Sequence, residues 1–444
     1  MLTIVLLTIP CAILLSAVLT AAARALGRWL NAHDSAGVAG QVKAERRRVP
    51  NLGGVAIFWT IAAPLSAVLA FSLVGDGRGL LSLLPRGLAD AAATHMPGLT
   101  EHAWAGLVLV GGLAVLHVMG LIDDRRPLPA LPKLLVMLGV STLVVLLTET
   151  RLLTLLDSFP GGMVLSVVLS VAWLVLVTNA MNFLDNMDGL TAGVAAIAGS
   201  CFLVAALLPA GASGVAEPQW FVATCLALLV GSCIGFLVFN APLPRASIFM
   251  GDSGSLVLGF LLAFLTMRTT YYTGVPSEVA GADAAARWYA VLMPMVVLAV
   301  PMYDLVMVVW LRLAQGRSPM VGDLQHLSHR LHDRGMSKRR SVLVIWGLTA
   351  ITALGGVSLA RADSVGAIVV GVQTLTTLIV LAAYEWTVDP RFRALRGAGA
   401  GNSDGAAAAT PEARRGAPRG RMWTRAGRGS GRRRPACSCS RPRW

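Results

Sequence analysis

The chain has 444 residues, of which 55% are hydrophobic and 14% charged, with a formal net charge of +14; its mean hydropathy is +0.69. So little charge excludes an ordinary soluble domain, and apolar runs near the roughly 20 residues needed to cross a bilayer recur from end to end. The fold class is therefore all-α, a polytopic helical membrane protein.

In chain order, about eleven candidate spans cover 2–24, 53–75, 104–122, 134–149, 163–178, 191–209, 219–239, 254–268, 288–311, 341–360 and 365–385. The first lacks a basic leader and continues past its small residues, so it reads as a retained span rather than a cleaved signal peptide. Cys11, Cys201, Cys225 and Cys233 fall inside spans, and no cysteine spacing suggests zinc or a disulfide framework.

Lys and Arg in the loops set the expected orientation. Arg28, Lys43, Arg46–Arg48, Arg125, Arg126, Lys133, Arg245, Arg312, Arg317, Arg330, Arg334 and Lys338–Arg340 fall in one alternate set. The other set holds only Arg78, Arg86, Arg151 and Arg361, with Arg268 and Arg287 at span edges. The richer set is expected to be cytoplasmic, with the N-terminus outside and the C-terminus inside. Every polar cluster of interest then falls on that one face, which points to a single cytoplasmic site.

Membrane protein and tail divide at 1–390 and 391–444. Beyond about Arg391, Gly, Ala, Pro, Ser and Arg replace apolar periodicity, and the segment is expected to be disordered. Much of the positive charge lies there, so it implies no nucleic-acid partner. It is either an anionic-lipid contact or a dispensable extension.

Five stretches carry chemistry. Lys43 and Arg46–Arg48 precede Pro50-Asn51-Leu52-Gly53-Gly54; these cations meet phosphate or simply satisfy the inside bias. Asp123-Asp124 ends the third span as paired carboxylates, suited to a general base or to a partner of metal-bound phosphate, or merely neutralised by Arg125 and Arg126. Asn179, Asn182, Asp185 and Asp188 recur at spacing three where the fifth span ends. Such polar groups at a bilayer edge are costly unless used, and Gly189 is a natural break. Phe249-Met250-Gly251-Asp252-Ser253-Gly254-Ser255 opens the eighth span, with glycines for close backbone approach and Asp252 as a magnesium ligand. Last, Asp323 to Leu331 contains His326 and His329 at i, i+3, with His332 one step on. Among Arg317, Arg330 and Arg334 these imidazoles suit a diphosphate better than zinc. Asp304, inside the ninth span, either serves function or pairs with Arg312.

Together, D-D at 123–124, N-x-x-N-x-x-D-x-x-D-G at 179–189, F-M-G-D-S-G-S at 249–255 and H-L-S-H-R-L at 326–331 resemble the polyprenyl-phosphate N-acetylhexosamine-1-phosphate transferases, glycosyltransferase family 4. The resemblance covers roughly residues 43 to 340. It implies transfer of a sugar-1-phosphate from a UDP-sugar donor to a polyprenyl phosphate, with release of UMP and a requirement for Mg2+, Mn2+ remaining open. By resemblance, Asp252 is the metal ligand, while Asp185 and Asn182 face metal and diphosphate. Asp123 and Asp124 are the catalytic pair, Asp188 and Phe249 belong to the uridine pocket, and His326 and His329 are diphosphate contacts. Asn179, Arg330 and Lys43 complete the expected substrate-binding set.

Ser328 stands where the GlcNAc-1-phosphate branch, with its H-x-H-H pattern, has a further His. The expected reaction is transfer of N-acetylglucosamine-1-phosphate from UDP-GlcNAc to undecaprenyl phosphate at the bacterial inner membrane, starting a lipid-linked cell-envelope glycan such as lipopolysaccharide. Phospho-MurNAc-pentapeptide or GalNAc donors are the alternatives, and a secondary transporter is the alternative from another class. A homodimer stays open.

Overall fold

A computed structural model describes residues 1–32, 49–74, 78–82, 84–208, 218–241, 245–274, 291–359, 362–388 and 391. Lys43, Arg46–Arg48 and nearly all of the expected tail lie outside the described residues. Residues Met1–Leu395 form one unit.

Sixteen α-helices and a 3-10 helix, Thr154–Ser158, account for the described architecture: α1 Leu2–Trp29, α2 Gly53–Leu73, α3 Arg78–Leu81, α4 Arg86–Ala93, α5 Met96–Glu101, α6 Ala103–Arg125, α7 Ala130–Thr148 and α8 Gly162–Leu184, then α9 Leu190–Leu207, α10 Trp220–Asn240, α11 Asp252–Gly274, α12 Met293–Val297, α13 Ala299–Ala314, α14 Leu327–Asp333, α15 Lys338–Leu359 and α16 Ser364–Val388. The chain is a multi-pass helical membrane protein. Nine described helices (α1, α2, α6 to α10, α15 and α16) are long and apolar enough to cross a membrane. The expected span at 254–268 falls on α11. The one at 288–311 falls on α12 and α13, which are interrupted at Leu298. Pro301 has no N–H to give the carbonyl of Val297, which weakens the helix at this point.

Helix α11 organises the bundle. It is buried on every side from Ser253 to Met267, as expected of a helix that is apolar all round. It packs against α2, α6 and α8. At the periphery, α1 and α16 turn Leu14, Val18, Ile368 and Val380 outward, which in a bilayer means toward lipid.

The expected break in the 179–189 stretch is real. Helix α8 runs six residues past the predicted span end, to Leu184, so Asn179 and Asn182 are helical while Asp185 and Asp188 lie in the turn beyond. Gly189, at φ +75°, reverses the chain into α9, a backbone state glycine adopts without penalty. Its N–H donates to Asn240 Oδ1 at 2.9 Å. Among the described residues the one bridge of β type joins Asn51 to Phe249 in parallel. Through it the start of α2 is laid against the start of α11: Gly53 and Gly54 donate to the carbonyls of Phe249 and Met250, both at 2.9 Å.

Candidate active site

The ends of α6, α7, α8, α11 and α13 enclose a cavity of about 610 Å³. Asp123, Asp124, Asn179, Asn182, Asp185, Asp188, Phe249, Asp252, His326 and His329, all expected from the sequence, lie on its wall. Four motifs separated by up to about two hundred residues thus meet in one place. Arg330 is the exception among the described site residues: it is fully buried and lies behind the wall.

The two adjacent aspartates do different work. Asp123 Oδ1 accepts the Leu128 N–H at 2.7 Å, and its Oδ2 accepts from Lys133 Nζ at 3.0 Å. The same ammonium reaches Asp252 Oδ2 at 3.1 Å. Asp123 and Asp252, from α6 and α11, thus share one cation. Asp124 faces the backbone instead. Its Oδ1 accepts from Asp252 N at 2.9 Å and Asn51 Nδ2 at 3.1 Å, and its Oδ2 accepts from Ser253 N at 3.3 Å. It caps the start of α11, where the free N–H groups of a helix need acceptors. Gly251 makes the geometry feasible: its φ is +72°, and a Cβ there would lie 2.5 Å from Asp124 Oδ2.

From α8, Asn182 Nδ2 donates to Ser255 Oγ at 2.9 Å, tying the Asn-Asp motif to the first turn of α11. Asn179 Nδ2 is turned back to the Val175 carbonyl at 2.8 Å. Asp188 Oδ2 accepts the Ala246 N–H at 3.0 Å. Asn186, unremarked in the sequence, accepts the Ser328 hydroxyl and so joins the Asn-Asp motif to the histidine motif.

On the opposite wall, His326 Nδ1 donates to Asp304 Oδ2 at 3.0 Å, and the Leu327 N–H donates to Asp304 Oδ1 at 2.5 Å. The bond fixes the ring's tautomer and leaves Nε2 for the cavity. Asp304 therefore does not pair with Arg312. The two stand eight positions apart on α13, about 12 Å along the axis. Arg312 instead donates through Nη2 to Asp323 Oδ1 at 3.0 Å and lies 5.4 Å from the Phe183 ring centre. Burial opposes ionisation of Asp323, yet bonds from Arg312 and Gln325 hold its carboxyl below the usual range. Burial, with like charge from His326 and Lys338, lowers the His329 imidazole to about 4, so it is neutral at pH 7. The three imidazoles do not converge, since His332 Nδ1 turns to the Met336 carbonyl at 2.7 Å.

Among the described residues, no group of three or more His, Cys, Asp or Glu is arranged to hold a metal. That disfavours zinc. Magnesium asks for less, since it keeps water and takes one or two carboxylates plus substrate phosphate. Asp123 and Asp252, already sharing a cation, are a fitting donor set.

Sequence reasoning missed Lys133, Asn51 and Asn240 as members of this wall. Lys133 was visible as a lone cation inside an apolar run, one Pro-rich turn after Asp123, but entered only as loop charge. Asn51 and Asn240 act through backbone-to-side-chain bonds across the fold, which no local pattern announces.

The model of glycosyl transferase family 4 matches residues 106–270. Among similar proteins, decaprenyl-phosphate N-acetylglucosaminephosphotransferase of Mycobacterium tuberculosis is 36% identical over 347 residues, 74% of this chain and 79% of the relative. A probable undecaprenyl-phosphate N-acetylglucosaminyl 1-phosphate transferase of Bacillus subtilis is 28% identical over 327 residues, 72% of this chain and 76% of the relative. Undecaprenyl-phosphate alpha-N-acetylglucosaminyl 1-phosphate transferase of Escherichia coli is 28% identical over 181 residues, 40% of this chain and 44% of the relative. The family match spans the α6, α8 and α11 motifs that meet at the cavity, and the long relatives extend well beyond it: the chain belongs to glycosyl transferase family 4 and is a membrane phosphotransferase.

Proposed function

We propose that the protein transfers N-acetylglucosamine-1-phosphate from UDP-GlcNAc to a polyprenyl phosphate, with release of UMP and with magnesium, as the first step of a lipid-linked cell-envelope glycan. The site opens to the cytoplasm in this reading, because the basic loops lie on its side of the bundle. The acceptor is stated as polyprenyl phosphate: the relatives' names divide between decaprenyl and undecaprenyl.

The observation that carries the reading is the cavity's charge. Among the described residues, six carboxylates line it (Asp123, Asp124, Asp185, Asp188, Asp252 and Asp323), against three permanent cations, Lys133, Arg312 and Lys338. A site this acidic repels a diphosphate and a lipid phosphate unless a divalent cation enters with them. Bound magnesium would neutralise phosphate charge and polarise the transferring group.

The chain's own residues supply the remainder. Asp123 and Asp252 would hold the metal from two helices, with Asp185 and Asn182 on the same wall. Asp123 would also face the incoming lipid phosphate, where an acceptor of protons is wanted. Lys133 sits within reach of both carboxylates and would move to a phosphate oxygen once a metal takes its place. His326 and His329 offer ring nitrogens to the diphosphate from the opposite wall. Phe249 and Asp188 lie where a base and its polar edge can be held.

The test is transfer of radiolabel from UDP-GlcNAc into lipid by purified protein with decaprenyl or undecaprenyl phosphate, in magnesium and in EDTA. Label in lipid with magnesium and none with EDTA is the expected result. Label from UDP-GalNAc or UDP-MurNAc-pentapeptide in place of UDP-GlcNAc would replace the sugar. Label that persists in EDTA would remove magnesium from the reading.

A further inference from the structure

Glu385 lies near the end of α16, well past the residues matched by the family model, and is the one acidic or basic residue of that helix. It is fully buried. An isolated carboxylate in such a place is expensive, so it persists when paired and hydrogen-bonded. Its partners are complete. Arg330 donates through Nε to Oε1 at 2.6 Å and through Nη2 to Oε2 at 3.0 Å, and the Tyr303 hydroxyl donates to Oε2 at 2.6 Å. Arg334 approaches Oε1 at 3.8 Å.

The remaining arm of Arg330 points toward the site. Nη1 donates to the carbonyl of Gln325 and lies 3.7 Å from Asp304 Oδ1. Gln325 directly precedes His326, and Asp304 holds the His326 ring. The charges of Asp304 and Glu385 are balanced by Arg330 and Arg334. The short helix α14 has seven residues, far fewer than the dozen or so an isolated helix needs to be stable. Its placement therefore depends on tertiary contacts: it packs on α15 with Leu327 and Leu331 in the core, and Arg330 ties it to α16.

We propose that Glu385 is a positioning residue for the imidazole wall of the active site, acting through Arg330 on Gln325, Asp304 and His326. This rests on the transfer reading above, in which that wall receives the donor's diphosphate. Arg330 thereby changes from an expected substrate contact to the link between the last helix and the site.

The experiment compares full-length wild type, Glu385→Gln, Tyr303→Phe, Arg330→Met and the Glu385→Gln/Arg330→Met pair in lipid nanodiscs. Glu385→Gln is expected to raise KM for UDP-GlcNAc on the order of tenfold, leaving KM for polyprenyl phosphate within about twofold. Tyr303→Phe, which keeps the ring and removes one bond, should move the donor KM the same way by less. The pair should be no worse than Arg330→Met alone, because both changes break one chain of contacts. A fall in melting temperature with both KM values unchanged, or additive effects in the pair, overturns the proposal. Hydrogen exchange reads the same point without substrate: Glu385→Gln should speed exchange in 325–333, and an unchanged rate there overturns the proposal even if wild type transfers no sugar. Wild-type inactivity toward every UDP-sugar, with faster exchange in the variant, would instead overturn the donor assignment.

Discussion

Asp124 Oδ1 accepts the backbone N–H of Asp252 at 2.9 Å, so one member of the aspartate pair holds the other motif's carboxylate in place by its backbone. The two acids should therefore fail differently. Asp124→Ala strands the N–H groups of Asp252 and Ser253 and the amide of Asn51, at a cost of roughly 1–3 kcal/mol for unsatisfied buried donors. Melting temperature and transfer should both fall. Asp123→Asn should abolish transfer with melting near wild type. Thermal melting beside the transfer assay checks this, and matching profiles for the two variants would sink the division of roles.

Lys133 joins the carboxylates of Asp123 and Asp252 at 3.0 and 3.1 Å. Lys133→Met leaves those acids facing one another, with an expected loss of roughly 1–3 kcal/mol in metal-free protein. Added magnesium should restore more stability to the variant than to wild type, because the ion has no ammonium to displace. Equal magnesium shifts in the two proteins would argue against a metal between these carboxylates.

Gly251 carries φ +72°, and its missing side chain leaves room for Asp124. Gly251→Ala should cost about 1–3 kcal/mol in strain and depress transfer, since it pushes Asp124 off the start of α11. Wild-type melting and activity in this variant would show that the loop can relax.

His329 titrates at about 4 in the folded protein because burial disfavours its charged form, against roughly 6.5 when unfolded. The unfolded chain then binds more protons between those values, so stability is full above about pH 6.5 and declines as pH falls toward 4. His329→Gln should flatten that part of the stability curve. Melting profiles from pH 7 to pH 4 decide it, and an unchanged slope would assign the acid sensitivity elsewhere.

What the sequence made legible follows from what its patterns encode. Span positions are written in runs of apolar residues, and the four motifs announced themselves because polar groups at membrane edges are costly. Gly189 also marked a break, which in the structure runs from Asp185 to Gly189. Partners across the bundle were not legible. Asp304 finds His326 rather than Arg312, Arg330 finds Glu385 rather than the cavity, and Lys133 finds two acids from two helices. Each of these depends on how helices are arranged around α11, which hydropathy does not report. The interruption at Leu298 within the ninth expected span was not legible either, because window averages register apolarity and not where a helix breaks.

Helix α11, enclosed by α2, α6 and α8, has a further consequence for chemists who target the family. A carboxylate mounted on so confined a post offers an inhibitor almost no induced fit, and compounds that grip Asp252 will meet much the same rigid shape wherever that post is built alike. The opposite wall is hung from side-chain ties along 315–333. Compounds shaped to that wall, at His326, His329 and Asn186, therefore meet a surface held by side-chain bonds rather than by an enclosed helix.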